Sequence, residues 1–193
     1  MSSIVQLNQI HEAAHTVFYL RWGTVRGARS HGIRNIIIDE GRSRVRFNDY
    51  FATEFLNRAF AGDLSPEERQ WYIQMTEPKL NFYLAGCAAE ARHLGKTPEH
   101  TPELLKWFDR SDRSPNNDIQ QAIGLNNVLG RQKPSDGVIG LIEAFNETLR
   151  QVDTYDEVIK WTAGQLEKEG VIEGIQLDNL VTEIQKRLNR NKE

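Results

Sequence analysis

Ile10-His11-Glu12-Ala13-Ala14-His15 is the stretch on which the reading of this chain turns. Side chains four apart on an α-helix lie one above the other, so a helix through these residues presents the imidazoles of His11 and His15 on one face. That is the spacing at which a single Zn²⁺ takes two nitrogen ligands. Glu12 carries a carboxylate toward the same point, where it can take a proton from water activated by the ion, the chemistry of a zinc hydrolase with the pattern H-E-x-x-H. The competing reading is a helix that carries two histidines by chance. With five histidines in 193 residues, such a pattern arises by chance in roughly one chain in a hundred or fewer. A metal site is therefore expected.

Composition sets the frame around that site. A chain of 193 residues that is 39% hydrophobic and 26% charged can bury a sizeable core and reads as one soluble globular domain. The net charge of −3 and pI near 6.0, with basic residues scattered along the chain, give no reason to expect nucleic acid as a partner. A single cysteine, Cys87, excludes an internal disulfide and fits a reducing compartment. Met1 to Gln6 has no basic region or long apolar run, and no later segment reaches transmembrane length. The expectation is a cytoplasmic protein without membrane insertion.

Outward from the motif, the first helix is predicted from Asn8, a good cap, to Gly23, which suits a left-handed stop. Ile10, Ala14, Val17 and Phe18 form its apolar stripe, with the histidine pair beside it. Ile33 to Ile38 is rich in β-branched residues and is followed by Asp39-Glu40-Gly41-Arg42, then by the alternating Ser43-Arg44-Val45-Arg46-Phe47. This reads as a β-hairpin with Arg44 and Arg46 facing water. Its edge either holds an extended peptide by main-chain pairing or is an ordinary strand guarded by charge.

Tyr50 to Glu77 reads as irregular helix, with Ser65-Pro66-Glu67-Glu68 as a capping box and proline at the first helical position. Its aromatics, Phe51, Phe55, Phe60, Trp71 and Tyr72, are assigned to core or interface. A clear helix is expected after Pro78, with Leu80, Tyr83, Leu84, Cys87, Ala91 and Leu94 on one face and Gly95 beyond its end. Ala85, Gly86, Ala88 and Ala89 make it thin enough for close helix packing. Glu90 borders the apolar stripe, where an unpaired carboxylate is costly, so it needs a partner: zinc, or a zinc-bound histidine. Gly95-Lys96-Thr97 resembles the end of a phosphate-binding loop. The glycine that such a loop needs five residues earlier is Glu90, so a nucleotide site is rejected.

From Thr97 to Arg113 a loop with one helical turn at Glu103 to Phe108 is expected. Ser114-Pro115 then opens a helix in which Ile119, Ala122 and Ile123 point inward. Asp118 falls near its N-terminus, where the helix dipole favours the ionised carboxylate, the form that binds metal or merely stabilises the first turn. Two further helices are predicted, Asp136 to Gln151 and one capped by Thr154 and Glu157 that ends at Gly170, and then a last one over Leu177 to Leu188. The fold class read from these elements is mainly α (α+β), helical with a small β-hairpin.

Three segments together carry a resemblance. HEAAH at His11 to His15, LAGCAAE at Leu84 to Glu90 and SPNNDIQQA at Ser114 to Ala122 resemble, in order and spacing, the HEAGH, LGGRAAEE and TGASNDIERA of the FtsH peptidase domain, a zincin-like zinc protease attached to an AAA+ ATPase. The hairpin after the first motif and the tail EKEGVIEGIQLDNL are also similar, so the likeness covers most of the chain. Ala14 stands where that family has glycine, Cys87 where it has arginine, and Ala91 where it has a second glutamate. The resemblance implies a single FtsH peptidase-like domain over residues 1–193, with a zinc-site core in 1–130 and C-terminal helices in 131–193. It implies His11, His15 and Asp118 as the metal ligands and Glu12 as the general base.

Of the two acids that compete for the third position, Glu90 has a ready alternative as acceptor of a ligating imidazole's free N–H. Asp118 has none, and the resemblance favours it. The expected protein is a zinc metallopeptidase acting on unfolded or flexible polypeptides, with Zn²⁺ as cofactor. No part of these residues corresponds to the family's ATPase module or membrane helices, so a separate AAA+ ATPase is an expected partner, and a homo-oligomer is compatible. The alternative is an FtsH-like domain that has lost proteolysis and serves as a binding or regulatory subunit.

Overall fold

In a computed structural model, residues 4–25, 32–38, 43–47, 64–103, 118–132, 137–166 and 170–190 are described. The elements are α1 (Ile4–Val25), β1 (Ile33–Ile37), β2 (Arg44–Phe47), α2 (Pro66–His93), a 3₁₀ turn (Pro98–His100), α3 (Asp118–Gln132), α4 (Gly137–Thr154), α5 (Asp156–Leu166), β3 (Val171–Ile172) and α6 (Gly174–Arg190). The chain is mainly helical with one small antiparallel sheet. It divides into two units: Met1–Asn48, Ala85–Thr97 and Thr148–Glu193 form the first, and Asp49–Leu84 with Pro98–Glu147 form the second. No helix among the described residues is long and apolar enough to cross a membrane.

In the first unit α1 is the central element. From Gln9 to Leu20 every residue is buried except His11, which is half-buried. Ala13, Ala14 and Val17 have no exposed surface at all. The helix packs on α5 and α6, and touches the sheet through β2. It starts at Ile4, so Asn8 lies inside it rather than capping it, and it runs through Gly23 to Val25. Flanking residues that continue the helical run outweigh both local signals, as tertiary context commonly does to propensity.

The hairpin is present as an antiparallel pair, with Ile36 opposite Val45 and Ile37 opposite Arg44. Its turn, Asp39 to Arg42, lies outside the described residues. Register shifts between Ile33 and Asn35. That irregularity lets Ile33 and Ile36, three apart, both be buried, where a regular strand would place them on opposite faces. Arg44 and Arg46 are exposed. The third strand, Val171–Ile172, was not expected: residues left between the helix ending at Gly170 and the one over Leu177 to Leu188 pair with Ile36 and Ile37 and make β1 the middle strand in the order β2-β1-β3. Ile38 N–H continues the ladder by donating to the Gly170 carbonyl at 2.8 Å. A two-residue strand held only by its partner carries no periodicity to read.

In the second unit the capping box at Ser65 forms as expected: Ser65 N–H donates to Glu68 Oε2 at 2.9 Å, and Glu68 N–H to Ser65 Oγ at 3.2 Å. The helix it opens continues unbroken from Pro66 to His93 through Pro78, where a new start was expected. An interior proline costs about 3 kcal/mol. Leu80, Phe82 and Leu84 beyond it are buried, and each such side chain contributes about 1.5–3 kcal/mol, so packing outweighs the break. Trp71 is 48% exposed, whereas Phe51, Phe55 and Phe60 fall outside the described residues. Thr101, fully buried, donates to Asn146 Oδ1 at 2.5 Å. Most of the expected turn at Glu103 to Phe108, and the Ser114-Pro115 cap, also lie outside the described residues. In α3, Ile119 and Ala122 are buried and Ile123 is half-buried.

The later helices differ from expectation mainly at their ends. α4 continues to Thr154, whose hydroxyl donates to the Arg150 carbonyl at 3.1 Å, and α5 begins at Asp156. α5 is described as far as Leu166; residues 167–169, which lead to the expected end at Gly170, lie outside the described residues. In α6, Leu177, Leu180, Val181, Ile184 and Leu188 form the buried stripe, the spacing of one helical face.

At the C-terminus of α2, Lys96 N–H reaches back to the Ala91 carbonyl and Gly95 N–H to that of Arg92, both at 2.9 Å. Gly95 sits at φ +70°. This is the left-handed helix stop that favours glycine. Gly95→Ala is expected to lower stability by about 1–2 kcal/mol, seen as a drop of several degrees in the thermal midpoint; an unchanged midpoint would contradict the stop.

Candidate metal centre

Helical spacing alone places His11, Glu12 and His15 along one side of α1, and the first unit adds the surroundings that the sequence leaves open. The distal nitrogens of the two rings, His11 Nε2 and His15 Nε2, are 3.0 Å apart. The rings meet edge to face, with centroids 4.7 Å apart and planes at 66°. His15 is 4% and Glu12 5% exposed. Burial of a carboxylate and an imidazole on a helix otherwise packed with Ala13, Ala14, Val17 and Phe18 is costly unless specific partners repay it, and such groups concentrate at functional sites.

Glu90 comes from the last turns of α2, where small side chains are buried: Ala85, Ala88 and Ala89. Its Oε1 lies 2.5 Å from His11 Nδ1. An ionised carboxylate can only accept, so the proton in this contact sits on His11 Nδ1, which in the neutral ring leaves Nε2 as the lone-pair nitrogen. The partner that Glu90 needed is thus the His11 ring. This carboxylate–imidazole contact is the one that commonly fixes the tautomer of a metal-ligating histidine.

Two nitrogens each about 2.0–2.1 Å from one tetrahedral ion lie about 3.3 Å apart, close to the 3.0 Å observed. The donor chemistry also fits, since imidazole nitrogens are common zinc ligands. A hydrogen bond from a His15 Nε2–H to His11 Nε2 fits the same distance, so the two occupancies are separated by titration with metal. One further internal contact belongs to α1: Thr16, fully buried, donates its hydroxyl to the Glu12 carbonyl at 2.8 Å. Asp118 is half-buried and opens α3, in the second unit. Cys87 is buried beside the glycine of α2.

No protein-family model, curated protein or solved structure matches this chain.

The metal-free protein should show His11 as the Nδ1–H tautomer in imidazole ¹⁵N shifts. Glu90→Ala should shift it toward Nε2–H, the form favoured in free histidine, and a wild-type His11 neutral and protonated on Nε2 alone would contradict the assignment.

Proposed function

We propose that the chain is a zincin-like metallopeptidase domain of the FtsH type, cutting flexible or unfolded polypeptides. The observation that supports this most directly is the pair of distal imidazole nitrogens at 3.0 Å, beside a buried Glu12 and with Glu90 on the far nitrogen of His11. In this reading His11 and His15 hold the metal through Nε2. Asp118 supplies the third ligand, on the strength of its place in Ser114-Pro115-Asn116-Asn117-Asp118 and of the ionised state that a helix start favours. The chemistry a bound zinc would supply there is a water made acidic enough to attack at neutral pH and a polarised scissile carbonyl.

The remaining chemistry belongs to the side chains. Glu12 accepts the proton of the attacking water and returns it to the leaving amine nitrogen. Glu90 fixes the His11 ring and raises its basicity as a ligand. β2, an outer strand in the order β2-β1-β3 with Arg44 and Arg46 exposed, offers main-chain groups to an extended peptide. A folded substrate has no free strand to pair there, which limits the domain to flexible chains.

Metal analysis combined with cleavage of a flexible peptide tests the reading. About one zinc per chain and metal-dependent cleavage are expected; zinc without cleavage would favour a binding subunit, and no zinc would sink the reading. Glu12→Gln should keep the metal and lower turnover on the order of 10² to 10⁴-fold, the usual contribution of a general base. Asp118→Ala should lose most bound zinc, whereas Glu90→Ala should weaken affinity only about 10 to 100-fold. Affinity should also fall as the pH is lowered through the range in which imidazoles protonate, because a protonated ring cannot ligate.

A further inference from the structure

We propose that Gly86 is the positioning residue for the imidazole pair, and that it acts by leaving open the space over the face of the His11 ring at its distal end. The inference rests on the metal reading for its functional meaning, but its geometry lies within the first unit. A Cβ built on Gly86 would stand 2.5 Å from His11 Nε2 and 2.6 Å from both Cδ2 and Cε1. These three atoms are the distal end of the ring, the end that meets His15; the near-equal distances put the Cβ over the ring's face there, and all three are far inside van der Waals contact. Any side chain at position 86 therefore presses on that face and displaces the distal end of the ring.

The ring has no easy way to yield. Its Nδ1 is held by Glu90 at 2.5 Å and its Nε2 lies 3.0 Å from that of His15. The backbones on either side are equally confined. Ala13 and Ala14 of α1 and Ala85 and Ala88 of α2 are fully buried, so neither helix can shift without opening or overpacking its surroundings. Local propensity points the same way. Position 86 lies inside α2, where alanine is the better helix former, and its neighbours Ala85, Ala88 and Ala89 are alanines. Glycine occupies the position against which the imidazole rests.

The test compares Gly86→Ala with wild type and with Gly164→Ala, a control in α5 where an added Cβ meets nothing within 4 Å. Cobalt(II) is titrated against a chelator and followed by its visible absorption. Wild type and Gly164→Ala should bind alike, and Gly86→Ala should bind on the order of 100-fold more weakly, at the upper end of what disturbed ligand support costs. Equal affinity in Gly86→Ala would overturn the proposal while leaving the metal site standing; absence of cobalt binding in wild type would overturn the metal site instead. Thermal midpoints of Gly86→Ala in the wild-type and His11→Ala backgrounds decide the geometry in either case, including one in which Gly86→Ala folds poorly. The substitution should lower the midpoint when His11 is present and leave it unchanged or raised when the ring is gone; the same shift in both backgrounds would refute the contact.

Discussion

The His11 ring is held on three sides, and the rest of the candidate site depends on that. Glu90 accepts from Nδ1, the His15 ring meets it edge-on, and Gly86 lies over its face at the distal end. Each constraint acts on a different part of the imidazole. Together they fix its tautomer, its rotation and its depth, which is what separates an oriented ligand from a mobile surface histidine. The contact with Glu90 also resolves an electrostatic problem. Half-buried between α1 and the end of α2, that carboxylate needs a donor, and the ring supplies one.

The setting of that ring explains the helix that bears it. α1 is buried almost all round between Gln9 and Leu20, so it lacks the wide polar face of a surface helix. Gln9, Glu12, His15 and Thr16 are buried with it. Thr16 turns its hydroxyl back to the Glu12 carbonyl, and toward the other end Arg21 donates to Gln151 Oε1 at 2.5 Å while its guanidinium lies over the Tyr155 ring at 5.0 Å. A central helix with a polar segment of this kind is stable only because the surrounding helices α5 and α6 supply the apolar burial. Under the metallopeptidase reading, the same burial withdraws Glu12 from bulk water and places it beside the ligands.

The sheet plays a smaller but specific part. β3 covers one side of β1 and leaves β2 as an outer strand with Arg44 and Arg46 exposed. The shifted register at Ile33 to Asn35 turns both Ile33 and Ile36 inward, anchoring β1 on the helical core through α6.

Much was legible in the residues alone, where the signal was local. The four-residue spacing of His11 and His15, the capping box at Ser65, the glycine stop at Gly95 and the alternation of Arg44 and Arg46 each depend on neighbours within one turn or one strand, so periodicity and turn chemistry suffice to read them. Where burial competes with a local signal, the sequence misleads: Asn8 did not begin α1, Pro78 did not end a helix, and Val171–Ile172 became a strand only because β1 stood ready to pair with it. The chemistry of Glu90 lay between the two cases. Its need for a partner followed from its place beside an apolar stripe, but which partner it found depended on α1 and α2 meeting 79 positions apart in the chain. Gly86 is the furthest case. Sequence marks it as one small residue in a run of small residues; only the packed helices show that an imidazole occupies the space where its side chain would be, because a contact distance between distant segments is a property of the fold and leaves no periodic trace in the chain.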